Sequence, residues 1–244
     1  MRGGTPMAKA RIVWTGAAMI EPLNLRTVGA SFADAFLDED EHAFDGAAYR
    51  SWLREHRSAL GTFGNYVPAK LHDSRVMSLH VSDAAVRMVL NDFATRQFAH
   101  ALVETKQLPI ATNRLVFPLE LEFKTSQRAL LHFVGEDGEL VAADTLRVDE
   151  YLYEHVAVAG DAHSIGFCLW QAGEADARGQ YVVLLASVTE LVATEQQARA
   201  WHAIFGSAYE HYYRYFKRAF DDDRFVFGHA ECLQLVADCD SAMA

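Results

Sequence analysis

Between residues 113 and 192, apolar side chains recur at every second position, segment after segment, with short turn-forming clusters between the segments. A two-residue period is that of a β-strand, which sends successive side chains to opposite faces. In 113–123 the apolar face is Leu115, Phe117, Leu119, Leu121 and Phe123, and Glu120 and Glu122 share the wet face. Pro118 has no N–H to give a neighbouring strand, which predicts an edge position or a bulge. Further strands are predicted at 129–134, 139–142, 145–148, 151–158, 163–170 and 180–188. The last is apolar on both faces from Tyr181 to Leu185, as a central strand covered on both sides requires. Asp137-Gly138 marks a hairpin, and the short connections favour antiparallel neighbours.

The flanking segments change period. A hairpin is predicted over 76–90, with Met77, Leu79 and Val81 on one face and Val86, Met88 and Leu90 as the matching face. Helices are predicted over 45–60, 95–107 and 229–239, with shorter features at 11–14, 31–37 and 225–227. From 194 to 220, Trp201, Ile204, Phe205, Ala208, Tyr212, Tyr215 and Phe216 recur at three- and four-residue steps. That pattern predicts one amphipathic helix of about six or seven turns, opened by a capping box of Thr194 and Gln197. The expected architecture is α+β: a predominantly antiparallel sheet of about seven or eight strands, helices ahead of it, and a long C-terminal helix across its open face. Residues 1–10 read as a tail and 11–244 as one domain, helical to about 70, sheet over 71–192 and helical over 193–240.

Charge narrows the function classes. The formal net charge of −11 repels phosphate backbones, so nucleic acid is not an expected partner, whereas a basic protein would be attracted. No apolar run reaches the roughly 18 residues of a membrane span, and the N-terminus lacks the apolar centre of a signal peptide. Cys168, Cys232 and Cys239 form no CxxC pair, which predicts reduced thiols in a cytoplasmic protein.

No P-loop, GxGxxG, GxSxG or HExxH motif is present, and no cofactor is implied. Among eleven histidines, His72 beside Asp73 is the nearest approach to a metal-binding pair, although neighbours on a strand point to opposite faces. Asp144 shares an alternation face with Leu140, Ala142, Leu146 and Val148, and His163 with Ile165, Phe167 and Leu169, so each is a polar group aimed at the core unless a bulge turns it. Glu120 and Glu122, with Cα atoms about 7 Å apart, have a spacing compatible with acid/base work but equally with a solvated face. Three acidic groups are candidate contacts for a basic partner: Asp38, Glu39, Asp40 and Glu41; Glu120 and Glu122; and Asp221, Asp222 and Asp223.

Leu71-His72-Asp73 ahead of strands, then Asp149 to Glu154, then His163 to Phe167, resembles a group of uncharacterised bacterial proteins over roughly residues 65–190. In that group a His-Asp dipeptide precedes an antiparallel sheet, and tryptophan is usual where this chain has Tyr151. The group has no established activity. Small acidic proteins of this kind often act as immunity factors against toxins, so the resemblance implies a non-enzymatic protein-binding module of that type. The alternatives are a metal-assisted hydrolase using His72, Asp73 and another histidine, or a structural subunit of a larger complex.

Overall fold

A computed structural model describes residues 55, 71, 73–134, 140–142, 148–159, 162–171, 180–221 and 228–243. Within them lie eight strands: β1 (Ser74–Val81), β2 (Ala85–Asn91), β3 (Pro118–Thr125), β4 (Leu130–Val134), β5 (Leu140–Ala142), β6 (Glu150–Ala159), β7 (Ala162–Gln171) and β8 (Gln180–Glu195). The helices are α1 (Phe93–Thr105), α2 (Gln197–Phe205), α3 (Glu210–Asp221) and α4 (His229–Met243). The fold is α+β with antiparallel strand pairing, as the alternation predicts.

The sheet closes on itself, which the strand pattern did not foretell. Strands pair in the order β3-β2-β1-β6-β7-β8, and β8 pairs again with β3, so six strands form a ring. Closure is narrow on one side, where β1 meets β6 only through Ser74–Tyr151 and Arg75–Glu150. The β4–β5 hairpin stands outside the ring, with β4 residues Leu130 to Phe133 against β8.

Bulges make the ring curve. In β1 the register slips at Met77, which is thrown outward and is 49 % exposed, while Val76 and then Leu79 and Val81 pack inward. Met77 therefore does not share a face with Leu79 and Val81, because one extra residue reverses the alternation. In β8 the extra residue is Thr189, whose hydroxyl donates to the Lys124 carbonyl at 3.2 Å. The inward set changes there from Val182, Leu184, Ala186 and Val188 to Leu191 and Ala193. A third slip falls at Leu152 in β6. Pro118 is neither on an edge nor in a bulge. It is the first residue of β3, paired with Asn91, where a missing N–H costs no ladder bond.

Among the described residues, apolar side chains pack together in the ring interior. Phe123 and Phe167 meet edge-to-face at 4.9 Å, and Tyr151 adds a second edge at 6.1 Å. Each such side chain stabilises the fold by roughly 1.5–3 kcal/mol through burial.

The helices have a core of their own. Phe98 of α1 stacks on Phe216 of α3 at 4.9 Å, and Trp201 of α2 lies among Phe98, Phe117, Phe205 and Tyr213. The Trp201 indole N–H donates to the Tyr209 carbonyl at 3.0 Å. The expected single helix over 194–220 is two helices. Thr194 is still in β8, Gln196 caps α2 without a side-chain bond, and Gly206 at φ +73° separates α2 from α3. The aromatic stripe accordingly packs on other helices rather than across an open sheet face. The predicted features at 11–14, 31–37, 45–60 and 225–227, and most of the predicted strand at 145–148, lie outside the described residues.

Candidate functional site

The junction between ring and helices is built from buried polar residues at the end of β2. The Asn91 amide donates to the Leu115 carbonyl at 3.3 Å, and its Oδ1 accepts from the Phe117 N–H at 2.8 Å. Ser74 Oγ accepts from the Phe93 N–H at 3.1 Å. Asp92 caps α1, its carboxylate accepting from the Thr95 N–H at 3.1 Å and from the Thr95 hydroxyl. Burial pushes the Asp92 pKa up, against the lowering effect of those two bonds. Gln197, Glu195, Tyr213 and Lys217 complete this junction around a space of about 10 Å³. Burial also raises the Tyr213 pKa. A space of that size is on the order of one water molecule, so no substrate enters it.

A wider cleft opens on the outer face of α1. Arg96, His100 and Glu104 recur every four residues and therefore line one helix face. Gln97, Thr112 and His229, from the start of α4, complete a cavity of about 440 Å³. Glu104 Oε2 and His229 Nε2 are 3.0 Å apart. Burial lowers the His100 pKa, and Arg96 and His229 lower it further, so the neutral imidazole is favoured. Thr112 reaches the cleft from the short 3₁₀ helix Thr112–Arg114. The four-residue spacing on α1 was legible in the sequence. The approach of His229 and Thr112 was not, because it depends on how α1 and α4 pack.

Below the cleft, Lys106 Nζ contacts both Asp240 carboxylate oxygens at 2.7 Å, and the Tyr212 hydroxyl donates to the same carboxylate. These partners hold the Asp240 pKa below the usual carboxylate range. This set ties α1, α3 and α4 together. Cys232 and Cys239 are free thiols on the buried face of α4, and burial pushes the Cys232 pKa up to about 12, which keeps it unreactive.

The sequence-predicted acidic residues are scattered. Glu120 and Glu122 stand on the outer wall of the ring, opposite Val89 and Arg87 on β2 and opposite Thr194 and Val192 on β8. Glu122 is held by Arg87 at 2.8 Å. Asp221 ends α3 and pairs with Lys217 at 3.0 Å. Asp38, Glu39, Asp40, Glu41, Asp222 and Asp223 lie outside the described residues, as do His72 and Asp144. Asp73 sits at φ +59° in the turn before β1. His163 is in β7, but its side chain is outside the described set. Among the described residues no three His, Cys, Asp or Glu side chains are grouped to hold a metal ion, and no helix is long and apolar enough to cross a membrane.

Comparison with known protein families, curated proteins and solved structures finds no match to this chain.

Proposed function

We propose that this chain is a non-enzymatic protein-binding module for a basic partner, of the immunity type that holds a bacterial toxin or effector. The observation that carries the reading is the outer wall formed by β2, β3 and β8. There Glu120 and Glu122 project beside Val192, an aliphatic side chain that is 41 % exposed. Glu120, with Glu122 shared between Arg87 and any arriving cation, offers charge for encounter, and the exposed aliphatic group offers an apolar contact for retention. One further feature supports a surface role: the described residues of the ring interior pack against one another as an apolar core. The immunity assignment rests on the resemblance alone.

The test is capture from native lysate with the full chain and with a Glu120→Lys/Glu122→Lys variant. The expected result is one stoichiometric partner that is retained at low salt and released as screening shortens the electrostatic range to about 8 Å at physiological ionic strength. The double variant is expected to lose it while keeping its circular dichroism spectrum. No partner at any ionic strength, or equal capture by the variant, overturns the reading.

A further inference from the structure

We propose that the cleft on α1 is a small-anion site, taking a carboxylate or phosphate group at its Arg96–His100 end. This is independent of the outer-wall interface above, since the two share no residue. Arg96, Gln97 and His100 present three nitrogen-bearing side chains on adjacent turns, and Thr112 of the 3₁₀ helix lines the same cleft. Among the described residues, neither the Arg96 nor the His100 side chain is committed to an ion pair. The Arg96 guanidinium lies 5.4 Å from the centre of the Phe93 ring. That contact restricts the arginine rotamers before any ligand arrives, which lowers the ordering cost of binding. A guanidinium fork matches the two oxygens of a carboxylate or phosphate.

The other end of the cleft sets the limit of the anion subsite. Glu104 lies eight residues beyond Arg96, about 12 Å along the helix axis, and is tied to His229 at 3.0 Å. A ligand anion is therefore attracted at the Arg96 end and repelled at the Glu104 end. The volume of about 440 Å³ falls in the range of small-molecule sites, roughly 300–1,000 Å³.

The test is an NMR titration of the full chain, following backbone amides, with inorganic phosphate in one arm and citrate in the other. Sodium chloride at matched ionic strength is the reference. Saturable shifts at Gln97, His100 and Thr112 are expected in at least one arm, and the tighter arm identifies the group. Arg96→Gln is expected to weaken that binding about tenfold or more, the effect of losing one charge-assisted contact. Glu104→Gln is expected to leave it unchanged or tighten it. Arg128→Gln removes the same charge from a side chain paired with Asp83, away from the cleft, and is expected to have no effect. If Arg96→Gln disturbs the fold by circular dichroism, His100→Gln takes its place, with weakening of at least severalfold expected. Non-saturating shifts in both arms, shifts matched by chloride, or equal losses in the Arg96 and Arg128 variants overturn the proposal. Weaker binding by Glu104→Gln overturns the placement of the anion.

Discussion

Asp92 serves two opposed demands. Its carboxylate caps α1 through Thr95, which favours a hydrogen-bond acceptor, and its burial disfavours charge. Burial is the larger effect, so the folded pKa lies above the ordinary carboxylate value of 3.8. The sign of the pH dependence follows. Below 3.8 the group is protonated in folded and unfolded chains alike, and its favourable contribution is fully present. As pH rises through the raised folded pKa, that contribution is lost, because ionisation is easier in the unfolded chain. Asn keeps the acceptor and removes the charge. Asp92→Asn is therefore expected to be at least as stable as the native chain at pH 7, with the difference shrinking toward pH 4. Asp92→Ala removes the cap and is expected to cost about 0.5–2 kcal/mol at low pH, where charge no longer matters. Urea denaturation of the three proteins at several pH values measures both effects. A native chain more stable than Asp92→Asn at pH 7, with that lead lost as pH falls, would show that capping by the charged carboxylate, not burial, governs this position.

Gly206 decides between one helix and two. In a continuous exposed helix, glycine is a weak point, and replacement by alanine stabilises by roughly 0.5–1 kcal/mol. Here Gly206 has φ +73° and ψ −179°, a region that essentially only glycine occupies. A Cβ at this position meets nothing within 4 Å, so the penalty is purely one of backbone conformation. Gly206→Ala is expected to destabilise by about 1–3 kcal/mol in thermal or urea unfolding. A stabilising Gly206→Ala would restore the single helix. The break was hidden in the sequence because Trp201 and Phe205 before it, and Tyr212 and Phe216 after it, serve the same core. The apolar period therefore runs on through a turn that reorients the chain. Strand positions were easier to read, since alternation is set by each strand's own face: Val86, Met88 and Leu90 are all buried as expected. Alternation failed where a bulge intervened, as at Met77, because register belongs to a pair of strands and not to one. The acidic wall of Glu120 and Glu122 was legible for the same local reason, while the cleft needed packing between helices distant in sequence.

At the scale of the whole molecule, closure of the ring is the feature that local patterns could not specify. Seven or eight strands with one apolar face each are compatible with an open sheet needing a helical cover or with a sheet that covers itself. Bulges in β1, β6 and β8 favour the second, since each bends its strand and increases local twist. The ring does not close uniformly. β7 pairs with β8 from His163 to Gln171, and β2 with β3 from Ala85 to Asn91, whereas β1 and β6 share two residue pairs and the Val76 N–H bond to the Asp149 carbonyl at 2.8 Å. A short seam has few hydrogen bonds to break, so it can open without the rest of the ring. Native-state hydrogen exchange is expected to give Val76 an opening free energy well below those of Val86 and Met88 on β2 and Leu184 on β8. Protection at Val76 equal to that of β8 would mean that the ring opens only with global unfolding. In that case the tie between β1 and β6 rests on the buried Tyr151, wedged against Phe167, rather than on the ladder itself.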